Sequence, residues 1–204
     1  VQGHLWKAPM RRKPFEALKQ QFPRFSRSSP AFAALATAAI VVSACAGGEE
    51  KPPLPCPAVI AINDASELTR FRGEGRDLTD VVFTAGIGDM QFACEYRKDD
   101  TVVETDLRVV MTIVRGPANA DDKAIFTYFV AIAYVDPASG EPERIVAREE
   151  FDTGALFEGN ASRLVVPDEL SPVIPLKTGQ SGADYRIYVG IKLTPEELAY
   201  NRSR

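Results

Sequence analysis

The sequence predicts an all-β fold, an immunoglobulin-like two-sheet β-sandwich with a short C-terminal helix. Three observations predict it. Seven or more stretches downstream of Pro55 are rich in β-branched and aromatic residues, and the clearest of them alternate apolar with polar. Gly, Pro and Asp turn signals separate these stretches. A helical start with its own capping residues occurs only near the C-terminus.

In chain order, Cys56-Pro57 opens a short apolar run, Ala58 to Ile62, read as the first strand. Asp64 and Glu67 have capping-box spacing, which places Leu68 and Phe71 on one side of a helical turn. Arg70 to Asp80 is charged and glycine-punctuated, and reads as a loop whose arginines meet Glu74 and Asp77. Val81 to Asp89 and Met90 to Tyr96 are strand-like, with Gly86 and Gly88 marking a bulge or bend between them. Asp99-Asp100 makes the next turn. Val103, Thr105, Leu107, Val109, Met111 and Ile113 then alternate with mostly polar neighbours, the best strand signal in the chain.

Gly116-Pro117 ends that strand. Ile125 to Val135 is apolar on both faces, as a central strand requires, and β-branched and aromatic enrichment favours strand over helix. Asp136-Pro137 and Ser139-Gly140 turn it into Arg144 to Phe151. Arg163 to Val166, Val173 to Leu176 and Tyr185 to Leu193 supply three more strands. Thr194 then caps a helix in which Pro195 takes the first position and Glu197 completes a capping box. Both Glu196 and Glu197 favour the positive end of its dipole. The helix reads as a structural lid, with Leu198 turned toward the sandwich, or as a docking helix for a partner.

Upstream of this domain the chain has the parts of an export signal. Residues 31–44 form an uncharged run of 14 residues ending in small side chains. It follows Arg11, Arg12, Lys13, Lys19, Arg24 and Arg27, which are opposed only by Glu16. The run is shorter than the roughly 20 residues that span a bilayer. Met10 reads as the start of this signal and residues 1–9 as an upstream extension. Arg11-Arg12 resembles a twin-arginine signal in that pair alone, since Lys13-Pro14-Phe15 depart from the pattern.

Val42-Ser43-Ala44-Cys45 resembles the lipobox of bacterial lipoproteins. The resemblance covers these four residues and the flanking signal. It implies that Cys45 receives a diacylglyceryl group, that the chain is cut just before it, and that its new amino group is acylated. Several acyl chains, at about 0.8 kcal/mol per buried methylene, hold a protein on a membrane far better than one. Ala46 after the cysteine implies, in that family, sorting to the outer membrane, with the domain on its periplasmic face. Residues 10–44 are then the signal peptide, 45–55 a Gly- and Pro-rich tether, and 56–204 the sandwich.

Of 24 Lys and Arg, seven precede Cys45, as does one of 28 Asp and Glu, which leaves 160 residues with a net charge of −10. That size fits one domain. The charge argues against nucleic acid and against direct binding to anionic headgroups, both of which need clustered cations. With Cys45 committed to lipid, Cys56 and Cys94 remain and are expected to pair in an oxidising compartment. A two-cysteine metal site or a redox pair is less favoured, because the spacing is far from Cys-x-x-Cys and no histidine follows Cys45.

The same lack of imidazole argues against Ser-His-Asp and Cys-His nucleophiles and against a zinc site of the usual ligands. Glu149 and Glu150 are adjacent on a strand, so they point to opposite faces and do not make an acid–base pair. Gly86-Ile87-Gly88 lacks the third glycine and the following helix of a dinucleotide loop. No enzyme, cofactor or metal is expected. Arg70, Arg72 and Arg76, with Gly73 and Gly75 between them, are the candidate ligand-binding residues, because arginines and glycine amides converge on carboxylates or phosphates.

The tether, the Cys56 to Cys94 spacing and the ending Gly190 to Arg202 resemble small bacterial envelope lipoproteins without an established activity. The resemblance brings no catalytic residues. The expected function is a non-enzymatic binding or assembly module that contacts another envelope protein. A small-ligand or carbohydrate binder is the alternative.

Overall fold

The computed structural model describes residues 10–12, 53–136 and 142–204. They belong almost wholly to one unit made of Val1–Lys13 and Leu54–Arg204; Pro14–Pro53 form another, of which only Pro53 is described. The signal, Cys45 and most of the tether lie outside the described residues, as does the Ser139-Gly140 turn.

The strands are β1 (Arg11–Arg12), β2 (Ala58–Ala61), β3 (Glu67–Phe71), β4 (Val81–Arg97), β5 (Val102–Arg115), β6 (Lys123–Tyr134), β7 (Arg144–Leu156), β8 (Arg163–Ser171), β9 (Val173–Pro175) and β10 (Tyr185–Ile191). Helix α1 (Pro195–Arg202) closes the chain. One sheet has the order β1-β8-β5-β4-β3, with β9 also paired to β5, and the other runs β2-β10-β6-β7. Pairing is antiparallel except between β2 and β10. The expected two-sheet sandwich with a short terminal helix is therefore what the chain forms.

Periodicity explains why these segments are strands. In β5 the predicted inner face, Val103, Thr105, Leu107, Val109, Met111 and Ile113, is buried throughout. Facing it from β6 are Phe126, Tyr128, Val130 and Ile132, so the core lies between the two sheets. Phe83 of β4 and Phe126 of β6 meet with ring centroids 6.3 Å apart. As a central strand β6 is covered on both edges; its inner face is buried from Phe126 to Ile132, and along its other face burial changes from the exposed Ile125 to the buried Ala131 and Ala133. The two glycine-flanked segments form one strand, β4, whose register to β5 shifts between Ile87 and Met90, the expected bulge.

Four expectations are corrected. The segment from Asp64 to Phe71 is not one helical turn: Asn63–Ala65 make a 3-10 turn and Glu67–Phe71 run as β3. Leu68 and Thr69 are both buried there, and pairing with β4 outweighs the local capping-box spacing. The Arg70 to Asp80 loop is shorter than predicted, because Arg70 and Phe71 belong to β3 and Asp77 caps a 3-10 turn over Leu78–Asp80. Strand β7 runs on from Phe151 to Leu156, and β8 from Val166 to Ser171, so both are longer than their apolar runs. In β8 this carries the strand through Pro167, which lacks an N–H and is tolerated on an outer strand.

Candidate functional site

The predicted arginine site comes apart in the structure. Arg70 Nε lies 2.8 Å from Glu197 Oε1 of α1. Arg72 turns away and donates to the Ala118 carbonyl. Arg76 Nη1 donates to the Gly75 carbonyl at 2.7 Å, and its guanidinium stands over Phe71, 5.2 Å from the ring centroid. Arg70 and Arg76 line one open cleft of about 160 Å³ with Phe71, Thr194, Glu196 and Tyr200. Hydrogen bonding at the helix start, from its own backbone N–H and from Thr194, holds the Glu196 carboxyl below its ordinary range. The cleft is thus lined by both signs of charge and is small beside the ~300–1,000 Å³ of ordinary ligand sites. The expected pairs of these arginines with Glu74 and Asp77 give way to Glu197, Ala118 and the local glycine carbonyls.

Cys56 and Cys94 do form a disulfide, with Cα atoms 5.9 Å apart. Two residues along β4, on the same face as Cys94, Tyr96 Oη donates to the Pro55 carbonyl at 2.6 Å and accepts from the Gly182 N–H at 2.7 Å. A Cβ on Gly182 would stand 2.9 Å from Tyr96 Oη and closer still to the Pro55 carbonyl, so only glycine allows this approach. The chain is therefore locked to β4 at two consecutive residues, Pro55 and Cys56.

A third arrangement joins the edges of the two sheets. Tyr128 of β6 is fully buried, and its Oη donates to Asp168 Oδ2 of β8 at 2.7 Å. Asp168 is only 6% exposed. Its Oδ1 also accepts the Glu169 N–H at 3.0 Å. Arg12 meets the same carboxylate with a two-pronged fork, Nε to Oδ1 at 3.0 Å and Nη2 to Oδ2 at 2.5 Å. Its third prong, Nη1, donates to the Asp152 carbonyl of β7 at 3.2 Å. The guanidinium thus spans the mouth between β8, an outer strand of one sheet, and β7, an outer strand of the other.

Backbone pairing sets this geometry. Strand β1 lies antiparallel to β8, with Arg11 opposite Ser171 and Arg12 opposite Leu170. Met10, two residues before Arg12, is buried against the core cluster. Burial, then the hydrogen bond to Asp168, raises the Tyr128 phenol well above its ordinary value. The bond to Asp168 is the main cause that raises the Arg12 guanidinium. Both protons therefore stay in place as donors to the carboxylate. The sequence signal for this site was the alternation Leu164, Val166, Asp168, Leu170, which puts an acid on a core-facing position.

Among the described residues no helix is long and apolar enough to cross a membrane, and no group of three His, Cys, Asp or Glu is placed to hold a metal ion. No protein-family model matches the chain, and neither a curated protein nor a solved structure matches it.

Proposed function

We propose that the chain is a lipid-anchored protein of the bacterial cell envelope, tethered through Cys45 to the periplasmic face of the outer membrane. It acts there as a non-enzymatic binding or assembly module for another envelope protein. The observation that carries this reading is the lipobox-like Val42-Ser43-Ala44-Cys45 at the end of an uncharged run, followed at once by a Gly- and Pro-rich stretch. The lock at Pro55 and Cys56 supports it by defining where a tether would end. Pro55 lies ten residue steps beyond Cys45, so an extended tether reaches at most about 35 Å. A domain on that leash stays near the membrane, while the charge of −10 keeps it off anionic headgroups.

The alternative, a small-ligand or carbohydrate binder at Arg70, Arg72 and Arg76, draws less support, because Arg72 points away from the cleft and Glu196 and Glu197 face the other two. In-cell crosslinking followed by affinity purification of the full-length gene product tests the module reading. One envelope protein should be recovered reproducibly, and recovered less when Cys45→Ser releases the domain from the membrane. Recovery of none, or an equal yield from the released variant, argues against it.

A further inference from the structure

We infer that the mouth between β7 and β8 is an acceptor site for an extended, arginine-bearing segment of an envelope partner protein, in the mode that Met10–Arg12 displays in the full-length chain. The inference rests on the proposed cleavage before Cys45, and it names the kind of partner that the module takes.

The chain's own residues display the mode of binding. An extended segment adds to the outer edge of β8, giving main-chain hydrogen bonds, with one side chain buried and the next but one reaching over the mouth. The first inward side chain is apolar, Met10. The second is Arg12, half exposed at the mouth, whose fork closes on Asp168 and whose remaining prong takes the Asp152 carbonyl.

A chain cleaved before Cys45 lacks Arg12, and this changes the balance at Asp168. The carboxylate keeps the Tyr128 hydroxyl and the Glu169 N–H but loses the guanidinium that neutralises it. A buried carboxylate without a counter-charge is costly, and that cost drives capture of a replacement guanidinium. An ammonium group does not reproduce the planar fork, so the site selects arginine over lysine. Among the described residues β8 pairs on its outer side only with β1, at Leu170 and Ser171, so the departing segment exposes a strand edge. The net charge of −10 favours approach of a basic segment.

The probe is a fluorescent peptide of the chain's own residues, Ala8-Pro9-Met10-Arg11-Arg12-Lys13, with binding read by anisotropy. Protein purified from the envelope, its N-terminus established by intact mass, should bind the peptide at least ten-fold more tightly than the full-length chain does. Replacing the peptide's second arginine by glutamine or lysine should weaken binding ten-fold or more, with the protein itself unaltered. Asp168→Asn, verified as folded by its thermal transition, should do the same. Equal binding of the arginine and glutamine peptides, or no binding to the processed protein, overturns the inference. If the mass shows no cleavage at Cys45, the processing reading fails by itself. The peptide is then tested on the full-length Arg12→Gln chain, where binding upholds the acceptor site and its absence overturns it.

Discussion

The Tyr128 hydroxyl donates to Asp168 Oδ2 at 2.7 Å, so one hydrogen bond to a buried carboxylate ties the four-stranded sheet to the edge of the six-stranded one. Bonds to charged acceptors contribute about 1.5–3 kcal/mol. The ring itself also packs on Phe151, with centroids 5.3 Å apart, and Tyr128→Phe leaves that contact in place. Tyr128→Phe is therefore expected to lower unfolding free energy by about 2 kcal/mol with an unchanged denaturant slope, read from urea unfolding curves. A loss under about 0.5 kcal/mol would mean that the bond does not join the sheets energetically.

Alkaline pH should expose the same pair. Burial raises the Tyr128 phenol above its unfolded value of about 10, so the folded state favours the protonated hydroxyl. A raised pKa contributes stability that is fully present below the unfolded value and is lost as pH climbs from there toward the folded one. Thermal midpoints should hold steady to about pH 9.5 and then fall, and the fall should be shallower in Tyr128→Phe. Tyr185, also raised mainly by burial, contributes the remaining slope in that variant. Parallel curves for wild type and variant would contradict the assignment.

The Cys56–Cys94 disulfide closes a loop with a sequence separation of 38. In the chain-entropy account a loop of that length contributes roughly 4 kcal/mol. Replacing both cysteines by serine should lower the melting temperature by about 8–16 °C for a domain of this size, measured by calorimetry. A change of only 1–2 °C would show that the Tyr96 and Gly182 contacts already hold the N-terminal end of the domain.

Helix α1 depends on its cap. Thr194 Oγ1 accepts the Glu197 N–H at 3.2 Å, and the Glu197 carboxylate accepts the Thr194 N–H at 2.9 Å. Removing such a cap costs about 1 kcal/mol. Thr194→Ala should speed amide exchange at Glu197 and Leu198 about five-fold, while the Tyr200 edge contact to Phe71 and the Asn201 bonds to the Asp64 and Glu67 carbonyls keep the helix attached. Unchanged exchange would show that these tertiary contacts, and not the cap, hold the first turn.

How much of this was legible in the sequence follows from how local each signal is. The inner face of β5, the bulge at Gly88 and the Thr194 cap are all written within a few residues, and all three appear as read. Cysteine counting also placed the disulfide. Charge and glycine dominate the neighbours of Arg70 and Phe71 and point to a loop, yet pairing with β4 carries both residues into β3. Arg70 and Arg76 share a cleft but Arg72 does not join them, since spacing alone does not tell which side of a strand end Arg72 leaves from. The Asp168 site had a local trace, an acid on a buried alternation. Pro167 broke the apolar run one residue too early, and Arg12 lies 156 residues away. No periodicity connects positions that far apart.

The central claim is that Cys45 carries the lipid, and the most direct test is intact mass spectrometry of the protein extracted from the envelope of a producing bacterium. The account predicts an N-terminus at Cys45 bearing a diacylglyceryl group on sulfur and an acyl group on nitrogen, and a Cys45→Ser variant that lacks both and leaves the membrane fraction. A membrane-bound protein with an unmodified Cys45, or one whose N-terminus lies elsewhere, would contradict it.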